Sequence, residues 1–191
     1  MVKSRQEFKL RATEILGKRM LILGESGSGK TKLAAKLAEE LIAMESPHRI
    51  TIIDFAPKRT EHAGGKLTDY VTIPSEVRYL TPKEVHTPRL TGTSREQVLH
   101  LARLNRKLME PLLDEFVQNA TEVLIMNDVT LYLHLGKLER ILQCARSAKT
   151  FLATAYYGSK LAKDLGTGIS SREKRLTDEL ATAVDRVVRI S

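Results

Sequence analysis

The sequence predicts an α/β fold, a three-layer αβα sandwich with a mainly parallel sheet. Short aliphatic and β-branched runs recur along the chain, and segments with leucines at helical spacing separate them. Strands that alternate with helices in this way pair in parallel and are covered on both faces. The predicted strands span 19–24, 49–57, 122–128, 149–156 and 183–191.

The helical segments have recognisable beginnings and interruptions. Ser94 and Gln97 can form a capping box at the start of the longest one. Pro111 should kink or split that helix, because proline lacks the N–H that helix interiors use. The predicted helices span 30–44, 93–119 and 135–147, and a short basic helix is expected over about 1–18. Residues 58–92 are the least regular part, with short strands expected at 69–73 and 77–80.

Length and charge limit the classes of protein to which the chain can belong. Its 191 residues suit one domain, expected to span 1–191. The net charge of +8 favours polyanionic partners, nucleic acid first. The alternative is that the basic side chains only face solvent, which the charge alone does not exclude.

Several other classes are disfavoured by the sequence. No apolar run approaches the roughly 20 residues that span a bilayer, so no membrane insertion is expected. Cys144 is the only cysteine, which excludes an internal disulfide and agrees with a reducing compartment. A cytoplasmic location is therefore the expectation, or the host cytoplasm if the protein is viral.

A glycine-rich stretch directly after the first strand carries the strongest chemical signal. The spacing of Gly24, Gly29, Lys30 and Thr31 fits the phosphate loop G-x-x-x-x-G-K-[ST], with a strand before it and a helix after it. Such a loop cradles phosphates with backbone N–H groups, while the lysine reaches the β- and γ-phosphates and the hydroxyl faces Mg²⁺. We therefore expect ATP with Mg²⁺ and a P-loop NTPase fold. The expected nucleotide contacts are Gly24, Glu25, Ser26, Gly27, Ser28, Gly29, Lys30, Thr31 and Lys32.

The rest of the site should stand at the end of another buried strand. Asp54 ends one such strand, and Asn127 with Asp128 ends another, which has the form of a Walker B strand. One alignment puts Asn127 at the magnesium position and Asp128 at the water-activating position, and we prefer it for its residue count. A second alignment makes Asp128 the metal residue and leaves no base, because Val129 follows. Thr31, Asn127 and Asp128 are thus the candidate metal-facing residues, and Lys30 with Asp128 and Asn127 the candidate catalytic ones.

Four parts of the chain carry a family resemblance: the phosphate loop and segments 52–61, 123–161 and 183–190. In order and spacing they resemble the FtsK/HerA group of P-loop ATPases, which move or package DNA. The resemblance implies an ATPase that acts as a motor or switch on duplex DNA, assembled as a ring of identical subunits. In this group an arginine from a neighbouring subunit can complete the site, and Arg146 and Arg140 hold candidate positions.

The sequence departs from that group at two places. The glutamine that usually follows the strand segment 152–154 is replaced by Ala155 and Tyr156, and the usual Asp-Glu pair by Asn127 and Asp128. Slow hydrolysis is the expected consequence.

Other functions stay open at this point. An ATP-dependent transferase of the cobalamin adenosyltransferase kind is one, although Ser28 stands where its phosphate loop has a lysine. A nucleotide kinase could use segment 158–175 as a lid, and a nucleotide-dependent binding module is favoured by Asn127. In a DNA motor the same basic segment would contact DNA, and its candidate contacts are Lys160, Lys163, Arg172, Lys174 and Arg175.

Overall fold

The computed structural model describes residues 10–59 and 65–190 and contains a six-stranded sheet. The spatial order is β3-β2-β4-β5-β1-β6, and every pair of neighbours runs in parallel. The strands are β1 (Arg19–Gly24), β2 (Ile50–Asp54), β3 (Arg78–Leu80), β4 (Val123–Asn127), β5 (Thr150–Tyr156) and β6 (Arg186–Ile190). The predicted α/β class with a parallel sheet is confirmed.

Helices cover both faces of the sheet. They are α1 (Lys30–Met44), α2 (Pro88–Thr91), α3 (Arg95–Gln118), α4 (Thr130–Leu133), α5 (Leu138–Ser147) and α6 (Ile169–Thr182). On one face Leu37 and Leu41 of α1 pack with Met20 and Ile22 of β1. On the other face α3, α4, α5 and α6 share a core with the alternate strand residues, such as Leu21. Both faces of each central strand are apolar because both are covered, which gives the predicted three layers.

Helix α3 runs through Pro111 as a single helix, so of the predicted kink or split the split is wrong. The proline is exposed, and so is Lys107, whose carbonyl oxygen would otherwise accept a hydrogen bond from residue 111. Water can satisfy that oxygen. At the start of the helix half of the predicted capping box forms, because the Ser94 side chain accepts a hydrogen bond from the backbone N–H of Gln97 at 3.1 Å. The Gln97 side chain accepts from the backbone N–H of Thr93 at 2.7 Å instead of that of Ser94.

Three other expectations differ from the structure or lie partly outside it. The predicted strand at 69–73 is wrong, because a 3-10 helix forms at Leu67–Asp69 and the strand at Arg78–Leu80 alone joins the sheet from this region. Half of the predicted N-terminal helix, residues 1–9, lies outside the described residues. From Leu10 onward that segment forms a 3-10 helix at Ala12–Glu14, and Gly17 with a φ of 71° turns the chain toward β1. Part of the basic segment 158–175 is helical, since α6 begins at Ile169.

None of the helices in the described part of the chain combines the length and apolar character needed to cross a membrane.

Candidate nucleotide-binding and hydrolysis site

The predicted phosphate loop is a tight turn between β1 and α1. Gly27 and Gly29 have φ values of 77° and 96°, a region that side-chain-bearing residues rarely adopt. A Cβ atom built on either glycine would meet no atom within 4 Å, so conformation rather than crowding requires glycine there. Helix α1 begins at Lys30, and its free backbone N–H groups and positive dipole end therefore face the loop. The local geometry is that of an anion cradle.

The Lys30 side chain bends back over the loop. Its ammonium group donates hydrogen bonds to the backbone oxygens of Gly24 at 2.9 Å and Glu25 at 2.6 Å. Burial lowers the pKa of Lys30, while the negative charges of Asp128 and Glu25 act in the opposite sense. A further anion at this place would therefore be favourable, because it would stabilise the ammonium form.

One polar atom of the loop has no partner among the described residues. The hydroxyl oxygen of Ser28 is buried and makes no hydrogen bond to them. A buried hydroxyl normally finds a partner, and a phosphate oxygen could serve as one. Thr31 and Lys32 follow at the start of α1, where Thr31 is partly exposed and Lys32 exposed. The residues of the phosphate loop and the start of α1 thus fit a nucleoside triphosphate.

The Asn127 side chain makes its hydrogen bonds to described groups outside the phosphate loop. Its amide group donates to a carboxylate oxygen of Asp54 at 3.0 Å and to the backbone oxygen of Gly65 at 3.4 Å. Its side-chain oxygen accepts a hydrogen bond from the Thr154 hydroxyl at 2.9 Å. The residue is fully buried. Asn127 therefore links the ends of β2 and β5 across β4.

Asp54 is a buried acceptor in the same network. Its carboxylate accepts hydrogen bonds from the backbone N–H groups of Ala56 at 3.1 Å and Leu67 at 2.7 Å, and from the Tyr79 hydroxyl at 2.8 Å. With Asn127 it has four donors. The sequence makes Asp54 a candidate metal-facing carboxylate. In the structure its oxygens instead accept hydrogen bonds that hold the end of β2 to neighbouring segments.

Asp128 is brought toward Lys30. Its backbone has a φ of 58°, and its N–H donates to the Thr154 hydroxyl at 2.8 Å. Its carboxylate accepts a hydrogen bond from the Thr130 hydroxyl at 2.6 Å. Burial raises the pKa of Asp128, and the Thr130 hydrogen bond and the charge of Lys30 act against that rise. A carboxylate that burial penalises and an ammonium group with a lowered pKa stabilise each other here.

Glu25 connects the phosphate loop to the loop after β5. Its carboxylate accepts hydrogen bonds from the backbone N–H groups of Ser159 at 3.1 Å and Lys160 at 3.3 Å. Burial alone would raise the pKa of Glu25, but hydrogen bonds, including one from Tyr156, outweigh it and lower that pKa. We call this contact between Glu25 and residues 158–160 the Glu25 clasp.

Most of the other predicted residues lie on the surface. Arg146 is exposed, pairs with Glu139 of its own helix, and precedes β5 at the edge of the sheet opposite the phosphate loop. It does not join this chain's own site. Lys160 and Lys163 are exposed in the loop after β5. The Arg172 side chain turns inward and donates to the backbone oxygen of Gly136 at 2.7 Å.

Lys174 and Arg175 complete that set, and both have partners on the protein. The Lys174 ammonium group lies 5.8 Å from the centre of the Tyr157 ring, and Arg175 pairs with Glu179 on α6. Of the five candidate nucleic-acid contacts, Lys160 and Lys163 are exposed, and their side chains form no hydrogen bond or ion pair with the described residues.

Sequence reasoning missed three charged or polar side chains near Asp128, namely Arg89, His134 and Glu173. They meet in one buried cluster, although 39 and 84 residues of chain separate Glu173 from His134 and Arg89. Only the position of Glu173 hinted at a role, because the apolar spacing of α6 puts that carboxylate on the buried side. No local pattern marks the other two.

Comparison with known proteins identifies the family. A family model described as the central domain of the helicase HerA matches residues 1–182. The chain belongs to the HerA central-domain family. This confirms the resemblance found in the sequence, and with it a HerA-like P-loop ATPase fold. A search of curated protein sequences gives no match.

Solved structures agree with the fold of this HerA-family chain. The flagellar accessory protein FlaH from Methanocaldococcus jannaschii has a TM-score of 0.51 at 12% identity, covering 91% of this chain and 70% of FlaH. The VirB11 ATPase of the Brucella suis type IV secretion system has a TM-score of 0.44 at 18% identity, covering 94% of this chain and 45% of VirB11. The first likeness supports the fold alone, and the second is too distant to add to it.

Proposed function

We propose that this HerA-family chain binds ATP with Mg²⁺, hydrolyses it, and uses the cycle as a motor or switch on nucleic acid. The observation that carries the proposal is the approach of two groups to the phosphate loop. Lys30 at the start of α1 and Asp128 at the end of β4 act on each other electrostatically. A phosphate-binding cation with a carboxylate beside it is the minimum that phosphoryl transfer to water requires.

Asp128 is the residue that we assign to the magnesium side of the site. Asn127 has its side chain committed to Asp54 and Thr154, which favours the alignment in which Asp128, with Thr31, faces the metal and its waters. Bound Mg²⁺ neutralises charge on the phosphate oxygens. Asp128 also helps to orient the attacking water. Among the described carboxylates, Asp128 and Glu25 are the two that act on the charge of Lys30, and the Glu25 oxygens are held in the Glu25 clasp.

The proposed partner is duplex nucleic acid, held through its backbone. The chain has a net charge of +8, and two exposed lysines, Lys160 and Lys163, lie in the loop that the Glu25 clasp attaches to the phosphate loop. Contacts of this kind are insensitive to base sequence. A ring of identical subunits is part of the proposal, with Arg146 or Arg140 offered to a neighbouring site.

The first experiment measures nucleotide binding and turnover in three proteins. Lys30→Ala should abolish most of the rise in melting temperature that ATP with Mg²⁺ gives the wild type, because the charge over the phosphates is lost. Asp128→Asn should lower kcat by at least about 100-fold and weaken ATP binding only when Mg²⁺ is present. Lys107→Ala, which removes an exposed lysine from α3, is the matched control and should resemble the wild type.

Two results would contradict the proposal. An unchanged melting shift in Lys30→Ala would move the nucleotide away from the phosphate loop. Turnover that survives in Asp128→Asn would remove Asp128 from the reaction. If Asp128→Asn weakens binding only when Mg²⁺ is present, the metal-facing assignment is supported over a role confined to water.

A second candidate function is a nucleotide-dependent binding module with little hydrolysis. The position of Asn127 favours this candidate. Its side-chain amide is hydrogen-bonded to Asp54 and Thr154, so the site has one carboxylate fewer than the Asp-Glu pair of the FtsK/HerA group. This candidate predicts ATP-dependent association with nucleic acid and the same slow turnover in the wild type and in Asp128→Asn. The kcat comparison above separates the two.

A further inference from the structure

A buried charged cluster lies near Asp128. One carboxylate oxygen of Glu173, Oε2, lies 2.8 Å from a guanidinium nitrogen of Arg89 and 2.7 Å from Nε2 of His134. The side chains are 4%, 6% and 0% exposed for Glu173, Arg89 and His134. We call these three residues the Glu173 cluster. Burying charges costs free energy even when they are paired, so the presence of this cluster calls for an explanation.

The Glu173 cluster is attached to the segment that carries Asp128. That segment, residues 128–136, begins with Asp128, continues as helix α4 and ends at Gly136. Helix α6 holds its far end twice: Glu173 binds His134, and the neighbouring Arg172 donates to the backbone oxygen of Gly136 at 2.7 Å. The near end is held by Thr154, which bonds the N–H of Asp128 with its hydroxyl and that of Val129 with its carbonyl.

Asp128 needs such support because its backbone is strained. A φ of 58° is uncommon in a residue other than glycine, and it persists only where the surroundings over-determine it. The segment would relax if its far end were free. Glu173 also acts electrostatically on the Asp128 carboxylate, as a charged group near it would.

We propose that Glu173 is a positioning residue, which through His134 fixes segment 128–136 so that Asp128 meets the phosphates in a productive geometry. This inference rests on the proposed ATP hydrolysis. Arg89 keeps Glu173 in place: its second guanidinium nitrogen lies 3.4 Å from the Ser170 hydroxyl, and its charged group covers the Tyr156 ring at 5.2 Å. Because Tyr156 pairs with Gly24 at the start of the phosphate loop, the cluster spans from that loop to α6.

The test separates His134 from the charged pair. His134→Leu removes the hydrogen bond to Glu173 and leaves the Arg89–Glu173 ion pair intact, so the fold should survive. His134→Gln can restore a donor near the position of Nε2. Thr177→Val is the matched control: Thr177 is buried one turn further along α6, and its hydroxyl has no hydrogen-bond partner in the described part of the chain. Its loss should therefore cost little.

Two measurements are made on each protein. The first is the steady-state kinetics of ATP hydrolysis: His134→Leu should lower kcat by about 10-fold to 100-fold with KM little changed, because a small misplacement of a reacting group costs that much. His134→Gln should recover most of the loss, and Thr177→Val should stay within about twofold of the wild type. Glu173→Gln should resemble His134→Leu if it folds.

The second measurement is amide hydrogen exchange, which does not depend on turnover. In His134→Leu the amides of segment 128–136 should exchange at least about tenfold faster, while those of α1 stay unchanged. Unchanged exchange in that segment would overturn the inference. So would a lowered melting temperature with kcat within about twofold of the wild type, since that pattern marks a purely structural cluster. A wild type without any turnover would defeat the proposed function, and hydrogen exchange would still decide whether Glu173 holds the segment.

Discussion

At the scale of single residues, the fate of Asn127 shows how a strand-end side chain can be diverted from the site. Its amide group is the donor that Asp54 needs, and its oxygen accepts from Thr154. In the predicted magnesium position, a change to aspartate would restore a charge facing the metal. In the structure, the same change places a second carboxylate against Asp54 in the interior.

We therefore expect Asn127→Asp to destabilise the protein rather than to improve it. Two buried carboxylates in contact repel each other, so one must take up a proton to fold. The variant should lose stability relative to the wild type, and the loss should be larger at pH 8 than at pH 5, where protonation is easier. Chemical unfolding at the two pH values measures this. A variant that is as stable as the wild type and hydrolyses ATP faster would return Asn127 to the magnesium position.

At the scale of elements, helix α3 contains Pro111 at a cost in folding stability that a substitution can remove. Proline in a helix interior is about 3 kcal/mol less favourable than alanine, although it also restricts the unfolded chain by up to about 1 kcal/mol. Because Pro111 is exposed and no packing depends on its ring, Pro111→Ala should raise the free energy of unfolding by about 1–2 kcal/mol. Denaturant unfolding measures the gain. A loss of stability would mean that the ring makes a contact which the exposed position does not suggest.

The Glu25 clasp is the second contact between elements that can be tested. A Cβ atom on Gly158 would collide with the Glu25 carboxylate, which is the mobile end of a flexible side chain and can move away. Gly158→Ala should therefore open the clasp, and hydrogen exchange at Ser159 and Lys160 should become faster. Ser159→Ala is the control, because the clasp uses the backbone N–H and not the hydroxyl. Equal exchange in both variants would contradict the clasp.

The direction of the Glu25 pKa gives the clasp a pH dependence. A carboxyl group whose pKa is lowered in the folded state contributes stability that is fully present above its ordinary pKa of 4.5. That contribution is lost as the pH falls below this value and the carboxylate takes up a proton. The wild type should thus approach Gly158→Ala in its loop exchange at acid pH and differ from it at neutral pH.

At the scale of the whole molecule, the positive charge is the property that should govern partner binding. If Lys160 and Lys163 each neutralise one phosphate, replacing both by alanine should reduce the salt dependence of DNA binding by about 1.8 units of log–log slope. Replacing Lys18 and Lys149 by alanine removes the same charge at the amino ends of β1 and β5, at the other end of the strands from the phosphate loop. This change should leave the slope unchanged. Affinity measured over a salt series decides this. Equal effects of the two pairs would assign the binding to overall charge.

The sequence by itself determined the layers of the fold and the phosphate loop. Both depend on short-range patterns: apolar runs, leucine spacing, and glycines at fixed distances before Lys30. Such patterns act within one element or one turn, so they can be interpreted without knowing what packs against them. The alternation of strands and helices along the chain and the position of Asp128 directly after β4 follow from the same information, whereas the order of the strands in the sheet does not.

Only the tertiary structure decided which side chains share the site. Asn127 turns to Asp54 and Thr154, Arg172 turns inward, and Glu173 meets His134 and Arg89, which lie 39 and 84 residues away in the chain. Each of these contacts joins elements that the chain reaches separately, so no spacing in the sequence encodes them. The Asn127 contacts arise where β2, β4 and β5 lie side by side, and those of Glu173 arise where helices α2, α4 and α6 come together. In both places buried polar groups must find partners among the groups that the packing brings near.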